Sequence, residues 1–206
     1  MMVIDLTHPV SSSIPVYFPW HPPTVIEQTA TYADHRCQVR RVSMGTHTGT
    51  HIDAPSHIFA GAPTLDQYDP RLWIGDAQVL DFTPRTAGQT IELAEMRDRE
   101  IRRGVSVVIK TGWHVHFGSP DYYQTYPPLS NAAAEYLVEL GVPLVAADTP
   151  YTIDVHRTLL AHGIPLVTNL NNTDRLPGGM IRLVAAPLLI AGADGAPARV
   201  LAYLES

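Results

Sequence analysis

Residues 47–57 read His-Thr-Gly-Thr-His-Ile-Asp-Ala-Pro-Ser-His and carry three imidazoles, His47, His51 and His57, and one carboxylate, Asp53. Imidazole and carboxylate together form a ligand set for Zn²⁺, Mn²⁺ or a similar divalent ion. Regular backbone does not bring all four groups together. A straight strand puts the odd-numbered positions on one face but leaves His47 and Asp53 roughly 20 Å apart. A helix pairs His47 with His51 and turns Asp53 off that face. The segment is therefore expected to be a folded loop wrapped on an ion, leading into a short turn that carries His57. Gly45 and Gly49 permit the bend, and Pro55 keeps Ala54 out of helix. With His47, His51 and Asp53 as three protein ligands, one position stays open for a water, whose acidity rises on binding. His57 is then free to shuttle a proton to a departing nitrogen.

The elements that must position this segment follow from the rest of the chain. At 206 residues, 45% hydrophobic and 17% charged, the sequence suits one soluble α/β domain, 1–206, with a good-sized core. Net charge is −6, and the basic runs are only the pairs Arg40-Arg41 and Arg102-Arg103. That argues against a nucleic-acid partner and for a small-molecule one. No apolar run is long enough to cross a bilayer, and the first residues lack a basic, secretory-type start, so a cytoplasmic protein is expected. The lone Cys37 cannot form an intramolecular disulfide, and its neighbours suggest a strand with a buried, inert thiol.

Strands are expected at Val3–Leu6, Val39–Met44, Ala77–Phe82, Val105–Ile109, Leu144–Ala147, Ile164–Leu170, Ile181–Ala191 and Ala198–Leu204. Helices are expected over Glu92–Arg103, with Thr90 as cap, from a Ser130 cap to Leu140, and from an Asp154 cap through His156, Leu159 and Leu160. Residues 9–23 form a proline-rich loop bearing Tyr17, Phe18 and Trp20. A second aromatic loop spans 111–129, and its His114 and His116 read as structural or rim histidines. The Ala193-Asp194-Gly195-Ala196-Pro197 stretch reads as the turn between the last two strands.

The 47–57 stretch closely resembles the signature of the cyclase family of metal-dependent hydrolases, whose best-known branch is the bacterial arylformamidases. Asp5-Leu6-Thr7-His8-Pro9, Asp148-Thr149-Pro150, His156 and Leu183-Val184-Ala185-Ala186-Pro187-Leu188 extend the resemblance over nearly the whole chain. It implies a swivelling β/β/α-type fold and a homodimer or homotetramer. It implies His47, His51 and Asp53 as metal ligands, His57 as general acid/base, and an aromatic of the first loop facing substrate. That last role falls on Tyr17, with Trp20 as the competing choice. Two-metal members add a histidine, matched by His156, and a glutamate twelve residues on, where this chain has Thr168. Threonine supplies no bridging carboxylate, so one tight ion per chain, Zn or Mn, is expected and any second ion should be weak. Glu27, Asp148 and Asp174 are the first candidates to replace the missing carboxylate. The expected activity is hydrolysis of a C–N, ester or lactone bond in a small aryl amide, formamide or lactam. The alternatives are a non-hydrolytic cyclase or lyase on the same scaffold, and a metal-binding protein without turnover.

Overall fold

The computed structural model describes residues 2–204. Its strands are β1 Met2–Asp5, β2 Val25–Ala30, β3 Val39–Ser43, β4 His51–Asp53, β5 Ile74–Asp81, β6 Ser106–Lys110, β7 Val145–Ala147, β8 Leu166–Thr168, β9 Gly179–Pro187 and β10 Gly195–Leu204. The helices are α1 Tyr32–His35, α2 Leu93–Arg97, α3 Asn131–Leu140 and α4 Ile153–Ala161. Eight strands make one mixed sheet in the order β1-β10-β4-β8-β7-β6-β5-β9, and β9 pairs again with β10. That extra pairing closes the sheet into a barrel, with β1 added on β10. The β5–β6–β7–β8 run is parallel; β4, β9 and β10 pair antiparallel with their neighbours.

Side-chain alternation splits the core in two. Val79, Val108, Ala146, Val167 and Val200 point into the barrel with Ile4, Ile52 and Leu183. Leu80, Val107, Ile109, Val145 and Leu166 point the other way and bury the apolar faces of α2, α3 and α4. Every residue of β6, β7 and β8 is buried, as expected for parallel strands covered on both faces.

Several boundaries differ from the sequence reading. Helix α2 is capped by Glu92, not Thr90, and stops at Arg97. Glu100 then takes a left-handed φ of 47°, which lets Ile101 return to the core. Thr152, not Asp154, caps α4, its hydroxyl accepting from the Val155 N–H. Asp154 lies in the first turn instead, where a negative charge suits the helix dipole. Strand β9 ends at Pro187, and Leu188 and Leu189 lie exposed in the β9–β10 connection. The β2–β3 hairpin stands apart as a two-stranded sheet, and β2 is absent from the sequence reading. Cys37 sits in its exposed connection, so the expected buried thiol is a solvent-facing one.

Candidate metal centre

Residues 46–50 turn sharply before β4 begins. Gly49 has φ 63°, and a Cβ there would meet Ile14 Cδ1 at 2.7 Å, so the turn requires glycine. The strand β4 then carries His51 and Asp53 on one face by its two-residue period. The expected loop around an ion is thus only the first half of the segment; the rest is a strand clamped between β8 and β10. His57 follows on the 3₁₀ turn Pro55–His57. His156 projects from α4, its Nδ1–H donating to the Thr152 carbonyl at 2.9 Å and its Nε2 facing Asp53 Oδ2 at 3.2 Å.

Asp53 is the hub. Its side chain is 1% exposed, and its Oδ1 lies 2.6 Å from His47 Nδ1 and 3.2 Å from His51 Nε2. Burial pushes its pKa up, but the charge of His51 and hydrogen bonds from His156, His47 and His51 outweigh that and hold it well below the carboxylate range. His51 is oriented from behind, its Nδ1–H donating to the Gly49 carbonyl at 2.8 Å. His47 is held on both sides. Nδ1–H donates to Asp53, and Nε2–H donates to Asp194 Oδ2 at 2.8 Å. Burial lowers its pKa, yet these two carboxylates more than compensate and raise it to about 9. His57 Nδ1 lies 3.3 Å from the same Asp194 oxygen. Hydrogen bonds from His47 and His57 hold Asp194 far below its ordinary value.

His47, His51, Asp53, His57 and His156 line a cavity of about 320 Å³ as its floor. Tyr17, Phe18, Trp20 and Tyr123 line it, together with Ile58, Tyr151 and Ile153. Tyr17 packs edge-on against Tyr123 with centroids 5.0 Å apart. Trp20, the competing choice for the substrate-facing aromatic, lines the same cavity. So does His21, which the sequence reading did not single out.

Thr168 lies directly across from His51 in the β4–β8 ladder, its hydroxyl 3.0 Å from Nδ1 and 3.1 Å from Nε2. None of the three carboxylates named as substitutes reaches the centre. Glu27 pairs with Arg41 on the hairpin. Asp148 is buried and accepts from Thr111, Gly112 and Thr173. Asp174 pairs with His114, which is buried and donates no group to the cavity. The carboxylate beside the centre is Asp194. Its Asp-Gly sequence between two apolar runs is a hairpin signal, and that local reading masked it.

His47, His51 and Asp53 each offer one ligand atom within 4.8 Å of the others, and so do His47, His57 and Asp194. A divalent ion fits the first group. A buried carboxylate faced by three imidazoles is a nitrogen-and-oxygen donor set of the kind Zn²⁺ and Mn²⁺ accept. An ion held there would replace the proton on His47 Nδ1.

A closed α/β barrel with a His/His/Asp centre at the β4–β8–β10 junction is the frame of a metal-dependent hydrolase. The family described as Putative cyclase matches residues 4–154, and this chain belongs to it. A kynurenine formamidase of Bacillus cytotoxicus is 27% identical over 206 residues, covering 96% of this chain and 95% of that protein. Isatin hydrolase A from Ralstonia solanacearum superposes with a TM-score of 0.88 at 26% identity, covering 99% of this chain and 92% of the other. A second isatin hydrolase, in complex with the product analogue thioisatinate, shares the fold with a TM-score of 0.90 at 22% identity, covering 99% and 92%.

Proposed function

We propose that this chain hydrolyses the C–N bond of a small aryl formamide, amide or lactam with the help of one divalent ion, Zn²⁺ or Mn²⁺. The observation that carries the reading is Asp53, a buried carboxylate that gathers His47, His51 and His156 on the floor of an aromatic-walled cavity. When bound by His47, His51 and Asp53, the ion supplies a Lewis acid that polarises the carbonyl and acidifies the attacking water. The chain's own residues do the rest. Tyr17 and Tyr123 hold the aryl ring of the substrate. His57 takes the proton released as water adds to the carbonyl carbon. It returns that proton to the nitrogen as the C–N bond breaks, so that an amine leaves rather than an amide anion. His156, held through Thr152, braces Asp53 and offers a contact to a weak second ion or to substrate.

The relatives suggest two substrate types, an N-formyl aryl amine and an isatin-type lactam. Among the described residues no Lys, Arg or Glu lines the cavity, which favours an uncharged bicyclic lactam over a substrate bearing an amino-acid head group. The test is turnover of isatin and of N-formylkynurenine by purified protein loaded with Zn²⁺ or Mn²⁺, in ¹⁸O-labelled water. Label in the carboxylate of ring-opened isatin, or in the formate released from N-formylkynurenine, supports hydrolysis. Loss of substrate without label would point to the cyclase or lyase alternative, and no turnover of either would refute the substrate class.

We also propose that the protein works as a homo-oligomer. The β2–β3 hairpin exposes Val25, Val39 and Val42, and an isolated two-stranded hairpin is marginal in water. A second copy covering it removes that weakness; a monomer in light scattering at working concentration would count against this.

A further inference from the structure

Asp194 touches two histidines with different duties. Its Oδ2 lies 2.8 Å from His47 Nε2 and 3.3 Å from His57 Nδ1. The two rings lie 3.9 Å apart, tilted by 43°. The turn that carries this carboxylate is fixed on several sides. The Ala54 N–H donates to the Asp194 carbonyl at 2.8 Å, and the Leu65 N–H to the Ala193 carbonyl at 3.0 Å. The Gly192 N–H donates to Asp66 Oδ2 at 3.1 Å. The next residue, Gly195, pairs with Asp53 in the β10–β4 ladder, and a Cβ on it would meet His47 Cε1 at 2.5 Å. The glycine therefore lets the His47 ring approach the turn closely, within reach of the carboxylate.

We propose that Asp194 is a positioning residue shared by the metal site and the acid–base group. By accepting the Nε2–H of His47 it leaves Nδ1 directed at Asp53 and His51, where the ion is held. By accepting the Nδ1–H of His57 it fixes that ring's tautomer and leaves Nε2 for the reacting atoms. An imidazole bonded at one nitrogen to a carboxylate is fixed in orientation and is a stronger ligand or base at the other. One oxygen does this for both rings, so a single substitution at Asp194 should weaken metal binding and proton transfer together.

The inference rests on the metal reading proposed above, and its first test needs no substrate. Chelator-stripped protein is titrated with Zn²⁺ against a competing chromophoric chelator, for the unmodified chain, Asp194→Ala and Asp194→Asn. Affinity should fall about 10- to 100-fold in Asp194→Ala. Asp194→Asn keeps the shape of the turn and one acceptor, so it should fall between the two. In the Zn²⁺-loaded protein the ¹⁵N shifts of the His57 ring should move in both variants as the tautomer is released. At saturating Zn²⁺, kcat on the better substrate should drop with KM nearly unchanged. Unaltered Zn²⁺ affinity in both variants overturns the proposal, and so does a His57 ring whose nitrogen shifts stay put. If the unmodified protein binds Zn²⁺ but turns over neither substrate, the substrate assignment fails while the metal and ¹⁵N readouts still decide the role of Asp194.

Discussion

His8 should set part of the acid sensitivity of this fold. It is 7% exposed, and its ring stacks on Phe117 with centroids 3.7 Å apart. Its Nε2 is buried and, among the described residues, has no hydrogen-bond partner. A proton added there would be a charged N–H with nothing to accept it. Burial, with help from nearby His114, lowers the His8 pKa from 6.5 to about 4, against opposing effects of the Leu170 backbone and Asp148. The folded pKa of this base lies below its unfolded value, so the unfolded chain takes up the proton first. Stability is complete above pH 6.5 and is lost as pH falls toward 4. The full gap is worth about 3 kcal/mol at about 1.4 kcal/mol per unit, and about 2 kcal/mol of it falls between pH 7 and pH 5. His8→Phe keeps a stacked ring and cannot be protonated. Urea unfolding at both pH values, with equal protein and metal concentrations, should show the unmodified chain losing about 2 kcal/mol more than the variant. Equal losses in the two proteins would refute the reasoning, because His8 would then carry no linkage.

His51→Ala or Asp53→Ala should strip metal and activity together, whereas His57→Ala should keep the metal and lose about 10²- to 10⁴-fold in turnover. Full metal content in the first two variants, or loss of metal in the third, would overturn the division of roles. Elemental analysis after extensive dialysis should find one ion per chain, and Thr168→Glu should raise that toward two, since residue 168 faces His51 across the β4–β8 ladder. Two equivalents in the unmodified chain would mean that another group does the work of the missing glutamate.

The fold was legible in the sequence where a residue's partners lie nearby in the chain. The Ser130 cap and Gly141 stop of α3 act within one turn of the helix, and both stand as read. The apolar run of β6 needs only its own length to announce a buried strand. Features set by distant partners were hidden. Strand β2 exists through pairing with β3, and none of its first five residues is buried, so no apolar pattern marks it. The barrel closes through β9 and β10, a relation that the pattern of neither strand alone displays. The same division holds at the centre. His47, His51, Asp53 and His57 are crowded within one short segment and were read together. His156 entered by resemblance. Asp194 lies 137 residues from His57 in sequence, and it reads locally as an ordinary turn residue.

The placement of the site explains how one barrel can hold a fixed chemistry and a variable specificity. Every group at the centre is set by regular structure or a tight turn: His51 and Asp53 by β4 between β8 and β10, His156 by α4, and Asp194 by the turn that opens β10. Each of those elements is tied through backbone hydrogen bonds, so a shift at one ligand must disrupt a ladder or a helix. The aromatic walls obey different rules. Tyr17, Phe18, Trp20 and Tyr123 come from two long loops, and Trp20 is 74% exposed. Side chains there can change size and polarity without touching a strand. Substitutions at the walls should therefore alter KM and substrate choice while metal affinity stays constant, and substitutions at His47, His51 or Asp53 should lower metal affinity. A kynurenine formamidase and an isatin hydrolase, each similar to this chain over most of its length, differ in substrate by name, which is the outcome such a separation permits.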